Sequence, residues 1–307
     1  MDVGYEKDLL ILPFDHRGTF AKKMPGMAAL PEQEQSRRIC GLKEIVYEAY
    51  KLAVRQGLGK EVSGILVDEQ YGSEILIDAR KQGFLFALTA EKSAQDEFDF
   101  EYGEKYAEHL EKFAPTFVKV LVRYNPDGSP NPNMRQLDRL KKLSDYCAKS
   151  KIKLLFELIV EPTEEQLMDV KGDKRRFDRE LRGKLMLRGI KNVHDAGIAP
   201  HVWKLEGLEK RDEVAAVARE VRADGSKSGI IVLGRGETDE KVKEWLLAAA
   251  GVEGVIGFAV GRTVFWKPLE LYFQGKINRE EAVKLIAGNY KAFVDFWNLA
   301  KSQALSK

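Results

Sequence analysis

Two lysines stand inside short apolar runs, Phe117-Val118-Lys119-Val120-Leu121 and Val202-Trp203-Lys204-Leu205-Glu206. Flanked by apolar side chains in a run of strand length, neither amine can reach water the way one on a helix surface does. A lysine so placed needs a counter-charge or a chemical use. Desolvation and a second cation nearby both lower a lysine's pKa, giving the neutral amine that attacks a carbonyl. Lys204 suits this role. The iminium it would form is an electron sink, so the bond between the carbons α and β to it breaks once a base removes the proton of the β-hydroxyl. Glu157, in Phe156-Glu157-Leu158, is the expected base, its acidity set by Lys119 and an apolar wall. Asp15 and Asp68, each following an apolar run, are expected to hold substrate hydroxyls or to orient the lysines.

Anion-binding signals come from two further segments, Leu233-Gly234-Arg235-Gly236-Glu237 and Gly261-Arg262-Thr263. Glycine lets the backbone approach a ligand, and arginine forks onto phosphate oxygens. Gly234, Arg235, Gly236, Gly261 and Arg262 are therefore expected to bind phosphate. His16 and Arg17, beside Asp15, are expected to touch substrate. His109 and His194 read as surface or capping residues, and His201 opens an apolar run at its other end. Four scattered histidines do not make the ligand set of a catalytic metal centre, so no metal and no cofactor is expected.

The elements that must hold these residues follow a simple alternation. Runs rich in Val, Ile, Leu and Phe occur at 9–14, 63–67, 84–89, 116–122, 152–159, 202–205, 229–233 and 255–260. Between them lie amphipathic stretches, among them 32–56, 102–113, 134–150 and 212–222. Parallel α/β sheets are built from this alternation. Eight such units in 307 residues predict a closed (β/α)8 barrel, with no Pro/Gly/Ser-rich seam to divide the domain 1–307. In that fold the site is assembled where strands end at their C-terminal side, which is where the charges above accumulate. Two segments exceed the minimal barrel. The run 171–182, dense in both signs, reads as a solvated helical face, and 278–300 reads as a helix packing Phe293, Phe296 and Trp297 on the barrel's outside.

Fifty basic and 48 acidic residues nearly cancel, which gives no indication of nucleic acid or an anionic membrane as partner and favours a small molecule, which the anion-binding segments above would hold by a phosphate. Cys40 and Cys147 are too few and too far apart for a disulfide framework, and the apolar run near the N-terminus is too short for a signal peptide or a membrane span. A cytoplasmic location is expected. Barrels often associate through their outer helices, so a homo-oligomer is compatible with the fold, although one sequence does not single out an apolar stripe beyond what the core requires.

At its strand ends the sequence resembles the tagatose 1,6-bisphosphate aldolase family of class I aldolases. It resembles more closely the aldolase-like domain fused to 5-dehydro-2-deoxygluconokinase. The residues concerned are Phe14-Asp15-His16-Arg17-Gly18, Leu66-Val67-Asp68-Glu69-Gln70-Tyr71-Gly72, Ala90-Glu91-Lys92, Val118-Lys119, Phe156-Glu157, Trp203-Lys204-Leu205-Glu206 and Val260-Gly261-Arg262. The resemblance implies that Lys204 is the Schiff-base lysine, Glu157 the acid/base, and Lys119 and Asp15 neighbours of the reacting carbons, with Arg262 and the loop of Gly234-Arg235-Gly236 on a phosphate. Two positions depart from the tagatose bisphosphate pattern: His16 replaces Gln, and Gly234-Arg235-Gly236 replaces a Ser-Ala-Gly type turn. Similarity to the kinase-fused domain implies cleavage of 2-deoxy-5-keto-gluconate 6-phosphate to dihydroxyacetone phosphate and malonate semialdehyde, in inositol breakdown. Tagatose 1,6-bisphosphate or a sulfonated ketose phosphate is the alternative substrate. A sugar-phosphate isomerase or epimerase would need no amine nucleophile, and a non-catalytic sugar-phosphate sensor would not need Glu157 together with Lys204.

Overall fold

A computed structural model describes residues 3–306, so the first two residues and the last of the expected 1–307 lie outside it. Eight strands hydrogen-bond in chain order and close on themselves: β1 (Leu9–Pro13), β2 (Ser63–Val67), β3 (Leu85–Thr89), β4 (Phe117–Arg123), β5 (Lys153–Ile159), β6 (Val202–Glu206), β7 (Gly229–Leu233) and β8 (Val255–Ala259). Every pairing is parallel, including that of β8 with β1. Each strand begins and ends within one residue of the corresponding apolar run. The protein is the (β/α)8 barrel that the alternation predicts.

The helices are α1 (Gly18–Lys23), α2 (Glu32–Arg55), α3 (Glu69–Gln82), α4 (Tyr106–Phe113), α5 (Pro130–Ser150), α6 (Glu164–Asp169), α7 (Lys174–Glu180), α8 (Arg182–Asp195), α9 (Arg211–Val221), α10 (Asp239–Ala249), α11 (Arg262–Phe273) and α12 (Arg279–Leu305). α5 starts four residues earlier than its apolar spacing suggests, because Pro130 sits in the first turn, where its fixed φ suits a helix start and its missing N–H costs nothing. The surplus between β5 and β6 is three helices, α6 to α8, rather than one solvated face. α12 lies on α2 and α11 and buries Phe293 and Trp297 while Phe296 is partly buried, closing the outside of the barrel beside β8 and β1. No helix among the described residues is long and apolar enough to cross a membrane.

Strand alternation divides the apolar residues into two sets. Leu9, Ile11, Leu66, Ala87, Phe117, Leu155, Val202, Ile231, Ile256 and Ala259 form one cluster, which fills the barrel interior. Their strand neighbours, such as Val118, Val120, Phe156, Trp203 and Leu205, pack outward with the helices. Lys119 comes two residues after Phe117, Glu157 two after Leu155, and Lys204 two after Val202. The period of two therefore places all three ionic side chains in the barrel interior, directly above its apolar plug. The apolar flanks that make these lysines conspicuous in sequence belong to the other face.

Candidate active site

In the register of β5 on β6, Glu157 stands opposite Lys204, and in that of β4 on β5 it stands opposite Leu121, two residues beyond Lys119. Glu157 consequently lies between two amines. Its Oε1 is 2.9 Å from Lys204 Nζ and its Oε2 is 2.9 Å from Lys119 Nζ. Lys119 Nζ also donates to Asp15 Oδ2 at 2.9 Å and to Glu91 Oε1 at 2.6 Å. All of these side chains are nearly buried; Lys119 is 1% exposed and Lys204 5%. Burial alone would discharge such groups, and for Asp15, Glu157 and Lys119 mutual pairing outweighs it. Burial pushes the Asp15 carboxyl up, but Lys119 and Lys204 outweigh it and hold the group well below the usual carboxylate range. Glu157 is held low in the same way against its burial, by Lys119 and then Lys204. Burial pulls the Lys119 amine down, and Asp15, Glu157 and Glu91 together carry it well above its ordinary value. Lys119 is thus a fixed cation whose charge depends on its three acidic neighbours.

Two hollows meet over this cluster. One, of about 320 Å³, reaches from Lys204 and Glu157 past Asp15, Lys119 and Glu91 to Arg17, Lys22, Lys23 and Lys92. The other, of about 360 Å³, runs from the same pair to Gly234, Arg235, Gly236, Gly261 and Arg262. His16, Thr19, Leu121, Arg123, Glu157 and Lys204 line both, so an extended ligand can cross the lysine with an end in each. His16 Nδ1 is buried without a partner, and burial lowers the imidazole pKa to about 3 in spite of Asp15 beside it. His16 is therefore neutral across the physiological range, able to donate from one nitrogen and accept at the other.

The far hollow is built for an anion. α11 begins at Arg262 with no side-chain cap and no acid in its first turn, which leaves its first N–H groups and dipole facing the cleft. Gly261 is required there, since a Cβ would lie 2.1 Å from the carbonyl oxygen of Pro13 on the neighbouring strand. After β7 the chain turns tightly, Glu237 N–H donating to Gly234 O at 3.0 Å, with positive φ at Arg235 (51°) and Gly236 (79°). The Arg262 guanidinium packs on Gly236, where a Cβ would stand 2.5 Å from it, and donates to the Arg235 carbonyl.

Two of the expected binding residues do other work. Asp68 is fully buried and does not line the cleft: Oδ1 pairs with Lys43 of α2, also fully buried, and Oδ2 caps α3 by accepting from Tyr71 N–H at 2.9 Å. Arg235 lines the cleft but has its guanidinium engaged behind it, with Asp178 Oδ2 at 3.0 Å and Glu206 Oε1 at 3.2 Å. Arg182 completes a ring of charges through Asp178 (2.9 Å) and Glu206 (3.6 Å), and its Nη2 donates to Gly207 O at 2.8 Å. This buried arginine corrects the view of 171–182 as a solvated face throughout. The ring stiffens the β7 turn, where a non-glycine residue at positive φ needs such support. Glu206→Gln should keep the acceptor for Val160 N–H, now at 2.9 Å, but remove the charge between two arginines. The expected cost is about 1–3 kcal/mol in denaturant unfolding.

Arg17 also lines the cleft, anchored by Glu101 (2.7 Å) and the Glu91 carbonyl (2.6 Å). Glu91 and Arg123 belong to the cleft too, although the reading for site residues passed over them. The signal was present, since each carries charge at or just beyond a strand's C-terminal end. Outside the cleft, His109 stacks on Tyr102 and pairs with Glu69, and His201 accepts from Leu154 N–H below the barrel. No group of three or more His, Cys, Asp or Glu among the described residues is arranged to hold a metal ion.

Fold and site together define a (β/α)8-barrel protein with an ion-paired, two-lysine cleft at the mouth where such barrels carry out chemistry. The chain belongs to the family described as "Uncharacterized protein conserved in bacteria (DUF2090)", whose model matches residues 4–301. Among solved structures it is similar to a fructose-bisphosphate aldolase from Plasmodium falciparum, in complex with TRAP and a small molecule inhibitor. That likeness has a TM-score of 0.68 at 13% identity and covers 95% of this chain and 91% of that one. It is also similar to Cgl0159 from Corynebacterium glutamicum, with a TM-score of 0.56 at 16% identity over 95% of this chain and 88% of the other. At these identities the likeness is one of fold. No curated protein matches the sequence.

Proposed function

We propose that this protein is a class I aldolase that cleaves a ketose phosphate through a Schiff base on Lys204, giving dihydroxyacetone phosphate and an aldehyde. The observation that carries this reading is Glu157 between two ammoniums, 2.9 Å from each, on the floor of a cleft with an anion cradle at one end. Before attack, Lys204 must lose a proton, and Glu157 Oε1 is within reach to take it. Lys119 is held charged in the resting site by the acids around it, Asp15 first, which carry its pKa well above the ordinary value against burial. The amine adds to the substrate carbonyl, and Glu157 returns that proton to the carbinolamine hydroxyl, which leaves as water, so that the iminium forms and Glu157 is again a carboxylate. Glu157 then accepts the proton of the β-hydroxyl as the carbon–carbon bond breaks, the bonding electrons pass into the iminium as an enamine, and the aldehyde departs. Protonation of the enamine carbon and hydrolysis by water release dihydroxyacetone phosphate and free Lys204.

The phosphate would lie on the α11 N-terminus and Arg262, with the β7 turn behind it. The closer resemblance of the strand-end motifs supports 2-deoxy-5-keto-gluconate 6-phosphate as substrate, its carbonyl beside the phosphate-bearing carbon and its carboxylate directed towards the basic side of the other hollow. Borohydride reduction in the presence of dihydroxyacetone phosphate is expected to leave a reduced adduct on the Lys204 peptide, read by mass spectrometry. No adduct from folded protein at saturating ligand would sink the proposal. A coupled assay for dihydroxyacetone phosphate across ketose phosphates with carboxylate, phosphate and sulfonate tails then identifies the substrate.

A further inference from the structure

Lys119 is approached by three carboxyl groups, yet the cluster holds only two amines. Glu157 is shared between both amines, and Asp15 is drawn low by both. Glu91 is the remaining group. It follows β3, is 5% exposed, and has its backbone carbonyl held by Arg17 Nη2 at 2.6 Å. One carboxyl oxygen, Oε1, accepts from Lys119 at 2.6 Å. The other, Oε2, is buried with no partner, although Glu91 lines the cleft. A third full negative charge at this spot would face Asp15 and Glu157 across the Lys119 ammonium, and the one other cation beside it, Arg17, is already paired with Glu101 at 2.7 Å. Consistently, burial, helped by Asp15, pushes the Glu91 carboxyl upward even against Lys119 and Arg17, the opposite direction from its two neighbours. Carboxyls pushed apart in this way take different proton states and different roles. With Oε1 occupied by a donor, the proton of a neutral Glu91 belongs on Oε2, and an O–H in a buried place needs an acceptor.

We propose that Glu91 is a neutral hydrogen-bond donor that determines specificity: its Oε2–H takes a hydroxyl or carbonyl oxygen of the sugar chain lying over Lys119. The ligand's identity rests on the aldolase reading; the proton on Glu91 does not. A substrate with no acceptor at that place leaves the donor unmet and is selected against.

Two measurements test this. In difference infrared spectra of wild type against Glu91→Gln at neutral pH, a carboxylic-acid C=O band should be present in wild type and missing in the variant. A difference containing only carboxylate bands overturns the proposal, whatever reaction the protein catalyses. In cleavage of 2-deoxy-5-keto-gluconate 6-phosphate, Glu91→Gln keeps both a donor and neutrality and should lose about tenfold or less in kcat/KM. Glu91→Ala should lose about a hundredfold. Equal losses in the two variants would mean that Glu91 acts as an ionised partner of Lys119, and would overturn the proposal. If wild type forms no adduct at Lys204, the aldolase reading fails, while the infrared band still decides the state of Glu91.

Discussion

Lys204→Met is expected to lose turnover by on the order of 10⁴-fold or more, the scale seen when a covalent nucleophile is removed. Methionine nearly matches the volume of lysine and cannot form an iminium. The barrel should tolerate it, because Glu157 keeps Lys119 as a counter-charge at 2.9 Å and the apolar plug beneath is untouched. The anion cradle on α11 and the β7 turn lies across the cleft, so dihydroxyacetone phosphate should still raise the variant's unfolding temperature, by the linkage that any native-state ligand provides. The split between lost turnover and retained protection is the diagnostic result. A Lys204→Met protein that still cleaved ketose phosphates at a substantial fraction of the wild-type rate would exclude Schiff-base chemistry and favour acid/base isomerase-like use of the same cleft.

Lys119→Met should have the largest effect on stability, about 3–5 kcal/mol, because it strands buried acids rather than removing a favourable pair alone. Lys119 contacts Asp15, Glu91 and Glu157 at once, and of the three only Glu157 also touches Lys204. The pH dependence should reverse as well. In wild type Asp15 and Glu157 are held low, so they contribute stability that is present above the unfolded carboxylate pKa, near ~4, and is lost as pH falls through their folded values. Without Lys119, burial dominates and Asp15 should join Glu91, which burial already pushes up in wild type, in titrating above its unfolded value. Their contribution is then complete in acid and declines as pH rises. Denaturant unfolding at mildly acid and at neutral pH measures this directly: the variant should be the more stable in acid, and a loss independent of pH would contradict the assignment of Lys119 as the shared cation.

Both experiments rest on residues that were conspicuous in the sequence, and the reason is geometric. A strand repeats every two residues, so Phe117 and Lys119, Leu155 and Glu157, and Val202 and Lys204 must each share a face. Once the eight apolar runs are assigned to a closed barrel, the shared face can only be its interior, and charges there gather at the mouth. Gly261-Arg262 was legible for a similar reason, since it stands where a strand passes directly into a helix.

Other positions could not be settled by such local rules. Asp68 and Glu91 both follow an apolar run, yet Asp68 turns into the first turn of α3 and meets Lys43, 25 positions earlier, whereas Glu91 stays in an extended segment and meets Lys119. Arg235 looks like a phosphate ligand until Asp178, 57 positions away, and Glu206 engage its guanidinium from behind. Arg182 reads as one more charge in a charged run until its helix closes over the end of β6. The sequence by itself determined the barrel, the inward direction of Lys119, Glu157 and Lys204, and the end of the barrel at which they meet, because alternation and strand order are properties of short segments. Only the tertiary structure decided which acid belongs to which cation, because that depends on contacts between segments far apart in the chain. Those pairings set the proton states on which the chemistry depends.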